Sequence, residues 1–185
     1  MSGEFEFSKS KDVAPPIEIK LKKINQLFNS FDPSPFLDKE LDDDAVEYIV
    51  SYALEYAKSN QKMIIYVPSN HKSKMSEIEI RRSIHNFFEY KRDLAEKRIK
   101  LKFREGQLSL IVGISFLVTC ILVGEYVSTL AKNTLTYIIT EGLLIGGWVA
   151  MWKPISEILY EWWPIYDEKK IYHKLSEMTI EFRYV

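Results

Sequence analysis

The sequence is poor in the residues from which most catalytic and metal sites are built. It has one cysteine, Cys120, and three histidines, at positions 71, 85 and 173. One cysteine excludes a disulfide framework within the chain, and the scattered histidines match no zinc-binding spacing. No phosphate-binding glycine loop, HExxH or GxSxG motif occurs. We therefore expect no metal, no cofactor and no enzymatic activity; a membrane-bound enzyme whose site is assembled from distant residues is the remote alternative.

An excess of positive charge is also lacking. Lysine and arginine number 25 against 26 acidic residues, so the formal net charge is −1. A nucleic-acid binder usually carries a basic surplus, and we expect no nucleic-acid partner. Residues 1–16 lack the continuous apolar run of a secretory signal, and we expect them to form a flexible tail.

Two long apolar runs dominate the middle of the chain. Residues 107–130 and 134–152 are each about long enough to cross a hydrocarbon core of roughly 30 Å as a helix. The short turn between them requires an antiparallel arrangement. We predict a two-helix transmembrane hairpin over 106–153, with the lipid bilayer as partner. The alternative is a buried helical hairpin in a soluble protein.

The basic residues predict the orientation of this hairpin. Only Lys132 lies in the connecting turn, whereas lysine and arginine cluster outside the two runs. Cations near the ends of membrane spans are retained in the cytoplasm. We therefore expect a multi-pass membrane protein with both termini cytoplasmic. The cations are Lys91, Arg92, Lys97, Arg98, Lys100, Lys102 and Arg104 before the hairpin, and Lys153, Lys169, Lys170 and Lys174 after it.

Two carboxylates interrupt the apolar runs. Glu125 lies five residues before the end of the first run and Glu141 seven residues after the start of the second, so both should lie at similar depth. Carboxylates inside a membrane are costly and commonly mark ion or proton paths. The alternative is structural, with each glutamate snorkelling, protonated or hydrogen-bonded to a nearby hydroxyl.

Small residues predict how the helices pack. Gly142 and Gly146 form a GxxxG pair that Gly147 extends, and Gly113 lies among small residues of the first run. Such surfaces let membrane helices approach closely. Part of this surface should close the hairpin, and the remainder would suit contact between copies of the chain.

The flanking segments predict a small cytoplasmic α/β domain. Residues 17–21 alternate as a half-buried strand, Asp42, Asp43 and Asp44 open a helix, and 63–67 form a second strand parallel to the first. Ser76 and Glu79 have the spacing of a capping box, and the helix that they start should continue into the first span. We assign 17–105 to the first part of this domain.

After the hairpin, residues 154–185 contain an amphipathic helix and a C-terminal strand. The helix should begin at Pro154, end at Pro164, and lie along the membrane interface or pack on the soluble domain. Residues 178–184 alternate as a strand, which needs a sheet to join. We therefore predict that the two halves rejoin and that the hairpin is an insertion in one α/β domain.

The loop after the second strand is a candidate anion site. Ser69, Asn70, His71, Lys72 and Lys74 precede the N-terminus of the long helix, where free N–H groups and the helix dipole favour negative charge. An ordinary polar loop is the alternative interpretation.

Two classes of function follow from this organisation. In the first, hairpins associate into a homo-oligomer that conducts ions or perturbs the membrane under control of the cytoplasmic domain. In the second, the hairpin is only an anchor, and the α/β domain is an adaptor that recruits a cytoplasmic protein partner.

Overall fold

The computed structural model describes residues 15–32, 39–56, 62–68 and 76–185. The chain divides into two compact units, one made of Met1–Asp93 with Lys169–Val185 and the other of Leu94–Glu168. The predicted domain boundaries at 105/106 and 153/154 remain predictions.

The first unit contains a parallel sheet of three strands in the order β1-β2-β3. The strands are β1 (Ile17–Lys20), β2 (Lys62–Val67) and β3 (Thr179–Tyr184). β2 pairs in parallel with both neighbours. The predicted parallel pairing of the first two strands is confirmed, and the C-terminal strand completes the sheet as its alternation predicted.

The register aligns the apolar residues of the three strands on one face. Met63 lies between Ile17 and Ile180, and all three are buried. The other face carries charge, with Lys62 Nζ 3.1 Å from Glu181 Oε1. The continuous apolar run of β2 predicts a strand covered on both faces, and its middle is: Ile64, on the face opposite Met63 and Ile65, is 2% exposed.

Helix α1 (Asp43–Glu55) begins where the acidic triplet predicted. Asp42 is the N-cap, and its side chain accepts a hydrogen bond from the Asp44 N–H at 3.2 Å. This bond satisfies one of the free N–H groups of the first turn. Ile49 and Ala53 are the residues that α1 buries in the core of the first unit.

Helix α2 (Glu77–Leu130) is a single helix of 54 residues. The predicted capping box is present at its start: the Ser76 N–H donates to Glu79 Oε2 at 2.8 Å, and the Glu79 N–H donates to Ser76 Oγ at 3.3 Å. The hydrogen bonds that the Ser76 N–H and the Ser76 hydroxyl donate to Glu79 Oε2 lower the pKa of the Glu79 carboxyl. The part of α2 inside the first unit buries Ile80, Ile84, Phe87 and Phe88.

Three helices follow the turn at 131–133: α3 (Thr134–Ala150), α4 (Trp152–Leu159) and α5 (Trp163–Ser176). The prediction of one helix ending at Pro164 was wrong. The helix ends five residues earlier, and Pro164 lies in the first turn of α5, where proline is tolerated because the first N–H groups have no intrahelical partner. Helix α5 was not predicted; its Ile171 and Leu175 join the core of the first unit.

Candidate functional site: the helical hairpin

The hairpin closes along a seam of small residues spaced seven apart. On α2 the buried positions of this seam include Gly106, Gly113 and Cys120. A repeat of seven keeps one stripe of a helix facing its partner over several turns, as in coiled coils. The opposing positions Thr140, Gly147 and Pro154, on α3 and α4, follow the same period.

The contacts at these glycines are close because no side chain separates the helices. A methyl group built on Gly147 would lie 2.8 Å from Leu117 Cδ1 and 3.3 Å from Cys120 Cβ. One built on Gly113 would lie 3.1 Å from Met151 Sδ and 3.2 Å from Pro154 Cγ. Larger residues at either position would force the helices apart.

The seam extends beyond the two predicted runs at one end. A methyl group on Gly106 would lie 2.9 Å from Ile158 Cγ1, so α4 packs along α2. At the other end, a methyl group built on Gly124 would lie 3.3 Å from Thr140 Cγ2. The Thr140 hydroxyl also donates a hydrogen bond to the Gly124 carbonyl at 3.3 Å. The contacts therefore align Gly106 with Ile158 and Gly124 with Thr140.

The predicted packing residues separate into two groups. Gly113 and Gly147 lie in the seam. Gly142 and Gly146 do not, because a methyl group on either would find nothing within 4 Å. Both are exposed, so the GxxxG face of α3 is open.

Glu125 and Glu141 lie at the same level of the hairpin. Each directly follows a member of the Gly124–Thr140 contact. Glu125 is exposed and Glu141 is half-buried. The nearby hydroxyls bond elsewhere: Ser128 Oγ donates to the Glu125 backbone carbonyl at 2.6 Å, and Thr136 Oγ1 donates to Asn133 Oδ1 at 2.9 Å.

Charged and aromatic residues cluster at the opposite end of the hairpin. Lys102 Nζ lies 3.3 Å from both Glu161 Oε2 and Glu105 Oε2, and hydrogen bonds to these carboxylates raise the Lys102 pKa. The rings of Phe103 and Trp162 are 5.5 Å apart. This end therefore has the composition of a membrane interface.

The predicted anion-binding residues, Ser69, Asn70, His71, Lys72 and Lys74, lie outside the described residues. The adjacent carboxyl edge of the sheet is described and holds an open groove of about 440 Å³. The groove is lined by Glu18, Lys20, Leu21, Tyr66, Val67, Pro68 and Val185.

His85 lies in the first unit. His85 Nε2 lies 2.9 Å from the Met178 carbonyl, so this side chain joins α2 to the residue before β3. Within the described ranges no group of three or more histidine, cysteine, aspartate or glutamate side chains could hold a metal ion.

The architecture defines a broad class: a mostly helical chain with a small parallel sheet and two helical stretches long and apolar enough to cross a membrane, Glu77–Leu130 and Thr134–Ser176. No family model matches the chain, and neither a curated protein nor a solved structure shows significant similarity to it.

The sequence contains a pattern that indicates the seam but that is not one of the motifs considered above. We expected part of the small-residue surface to close the hairpin without specifying which part; the structure uses the seven-residue period of Gly106, Gly113 and Cys120. A search for small residues at that period on both helices would have found it.

Proposed function

We propose that the chain is a two-span integral membrane protein whose hairpin associates with copies of itself. Lipid contact is supported by exposure: only 17% and 11% of the most apolar windows of the two helical stretches are buried. A core helix of a soluble protein would be mostly buried. The cations flanking the hairpin support cytoplasmic termini.

The open GxxxG face is the observation that carries the self-association. Gly142 and Gly146 lie one turn apart, take no part in closing the hairpin, and have no neighbour within 4 Å of an added methyl group. In lipid, such a face gains packing when another helix approaches it. Copies of the chain carry the same face, which makes a symmetric interface the simplest arrangement.

Self-association would gather carboxylates at one level. Glu141 directly precedes Gly142, and Glu125 lies at the same level on α2. A set of such groups attracts cations and is tolerated in a membrane when it faces water or protein. The proposed output is cation passage or membrane perturbation, with the cytoplasmic α/β domain controlling the assembly.

The test compares three variants of the full chain. Gly146→Leu should dissociate the oligomer in mild detergent, whereas Ile145→Leu, one residue earlier and exposed, should leave it intact. Glu141→Gln should preserve the oligomer and reduce cation leakage through liposomes. A monomeric parent protein, or Glu141→Gln with unchanged leakage, would refute the conducting assembly.

An adaptor is the second candidate, favoured by the groove at the carboxyl edge of the sheet. Ligands of parallel α/β sheets bind at this edge, and the groove has both charged and apolar lining residues. In this role the hairpin is only an anchor. Replacing residues 106–153 by an unrelated two-span hairpin should preserve recruitment of a cytoplasmic protein by an adaptor and abolish the activity of a conducting assembly.

A further inference from the structure

We infer that the hydrocarbon core of the bilayer lies against residues 106–124 of α2 and 142–158 of α3 and α4. This placement ends the first span six residues, or about 9 Å, before its predicted end at 130, and it moves the second span six to eight residues later than 134–152. It rests on the proposed membrane function and makes residues 125–141 a tip that projects beyond the hydrocarbon.

The first argument is the length of the uncharged part of α2. Between Glu105 and Glu125 there are 19 residues without a charge. At about 1.5 Å per residue they span about 28 Å, close to the thickness of a hydrocarbon core. A span extending to Leu130 would place the exposed Glu125 carboxylate inside the core, where it is costly.

The second argument comes from the partner helices. The seam aligns Gly124 with Thr140 and Gly106 with Ile158, so residues 142–158 lie within the depth of 106–124. Two charged residues fall within this segment after Glu141, namely Lys153 and Glu157. Lys153 Nζ lies 3.8 Å from Glu157 Oε1. Glu157 is one helical turn closer than Lys153 to the level of Gly106. The lysine therefore extends toward the nearer interface, as long cationic side chains do in membranes.

Aromatic residues bracket the same interval. Tyr126 and Tyr137, each 66% exposed, lie just beyond the level of Gly124 and Thr140. Phe103, Trp162 and Trp163 cluster just beyond the level of Gly106. Tyrosine and tryptophan are enriched at both membrane interfaces, and these two groups lie near the two sides of the interval, while the exposed Trp148 and Trp152 fall between them.

The composition of the tip supports its position outside the hydrocarbon. Eleven of the seventeen residues from 125 to 141 are polar, against four in 108–124 counting Cys120. So many polar groups favour water or headgroups over acyl chains. The eleven are Glu125, Tyr126, Ser128, Thr129, Lys132, Asn133, Thr134, Thr136, Tyr137, Thr140 and Glu141.

Cysteine labelling distinguishes the two placements because they make opposite predictions at two exposed positions. In a Cys120→Ala background, Tyr126→Cys and Ile155→Cys are made singly in the full chain and reconstituted into liposomes. A water-soluble maleimide is supplied on both sides of the bilayer. We expect Tyr126→Cys to be labelled and Ile155→Cys to be protected until the liposomes are dissolved in SDS.

Controls separate failure of this inference from failure of the membrane proposal. Val118→Cys should be protected and Lys132→Cys labelled under either placement. Protection at Tyr126 with labelling at Ile155 would restore the spans 107–130 and 134–152. Labelling of both positions, or protection of both, would also overturn the inference, by showing a thinner or thicker core. Labelling of Val118→Cys in intact liposomes would refute the two-span proposal itself.

Discussion

Replacing Ile180 by alanine should destabilise the first unit strongly if β3 completes its sheet. Ile180 is 2% exposed and lies opposite Met63, which is fully buried. The change removes three carbons, worth about 2.4 kcal/mol at about 0.8 kcal/mol each, and the cavity left behind brings the expected cost to about 2 to 5 kcal/mol. For a unit of this size the melting temperature should fall by about 10 °C or more.

Thr179→Ala is the matched control, because Thr179 is exposed in the same strand and its substitution should change stability by about 0.5 kcal/mol or less. Hydrogen exchange locates the effect: amides of β2 should exchange about 30-fold faster or more in Ile180→Ala, since about 1.4 kcal/mol corresponds to a factor of ten. Equal melting temperatures and equal β2 exchange in the two variants would refute the packing of β3 against β2.

Two further predictions follow from the cap and the seam. Hydrogen bonds from Ser76 lower the Glu79 pKa in the folded protein. The stabilisation that they give is therefore present above the pKa of the unfolded chain, near 4.3, and is lost as pH falls through the lower pKa of the folded protein. Glu79→Gln should make acid unfolding less steep, and an unchanged pH profile would contradict this. In an SDS titration, Gly147→Leu should destabilise the hairpin by about 1 to 3 kcal/mol because the new side chain would collide with Leu117. Gly142→Leu is the control, since its side chain meets open space and should not destabilise the hairpin. Equal effects of the two substitutions would argue against the seam.

The strands and helix starts were predictable because their signals are local. Alternation at residues 17–21 and at the start of 178–184 indicates which side chains are buried, whereas Tyr184, at the end of β3, is 58% exposed. Asp42, Ser76 and Glu79 provide caps whose hydrogen bonds span three residues or fewer. The place of β3 in the sheet could be predicted from a further argument: a strand at the C-terminus needs a neighbouring strand to pair with. Helix α5 was missed because Pro164 was taken as a terminator, although proline is equally compatible with a first turn.

The hairpin seam could be predicted only in part. Gly113 and Gly147 were recognised as packing residues, but so were Gly142 and Gly146, which lie on another face. One helix alone does not indicate which of its small-residue faces meets its partner, because that choice depends on the register between the two helices. Glu125 and Glu141 lie at a similar level, as their distances in sequence from the turn predicted, because the short turn restricts the register of the hairpin.

The position of β3 in the chain affects the order of events during synthesis. β2 pairs with residues 179–184, and both apolar helices are translated before these residues leave the ribosome. One edge of β2 therefore stays unpaired until the whole hairpin has been translated, and an unpaired edge invites aggregation. The first unit reaches its final form only after the hairpin has been made, so a chain whose synthesis stops before residue 179 would expose an incomplete sheet that chaperones and proteases can recognise.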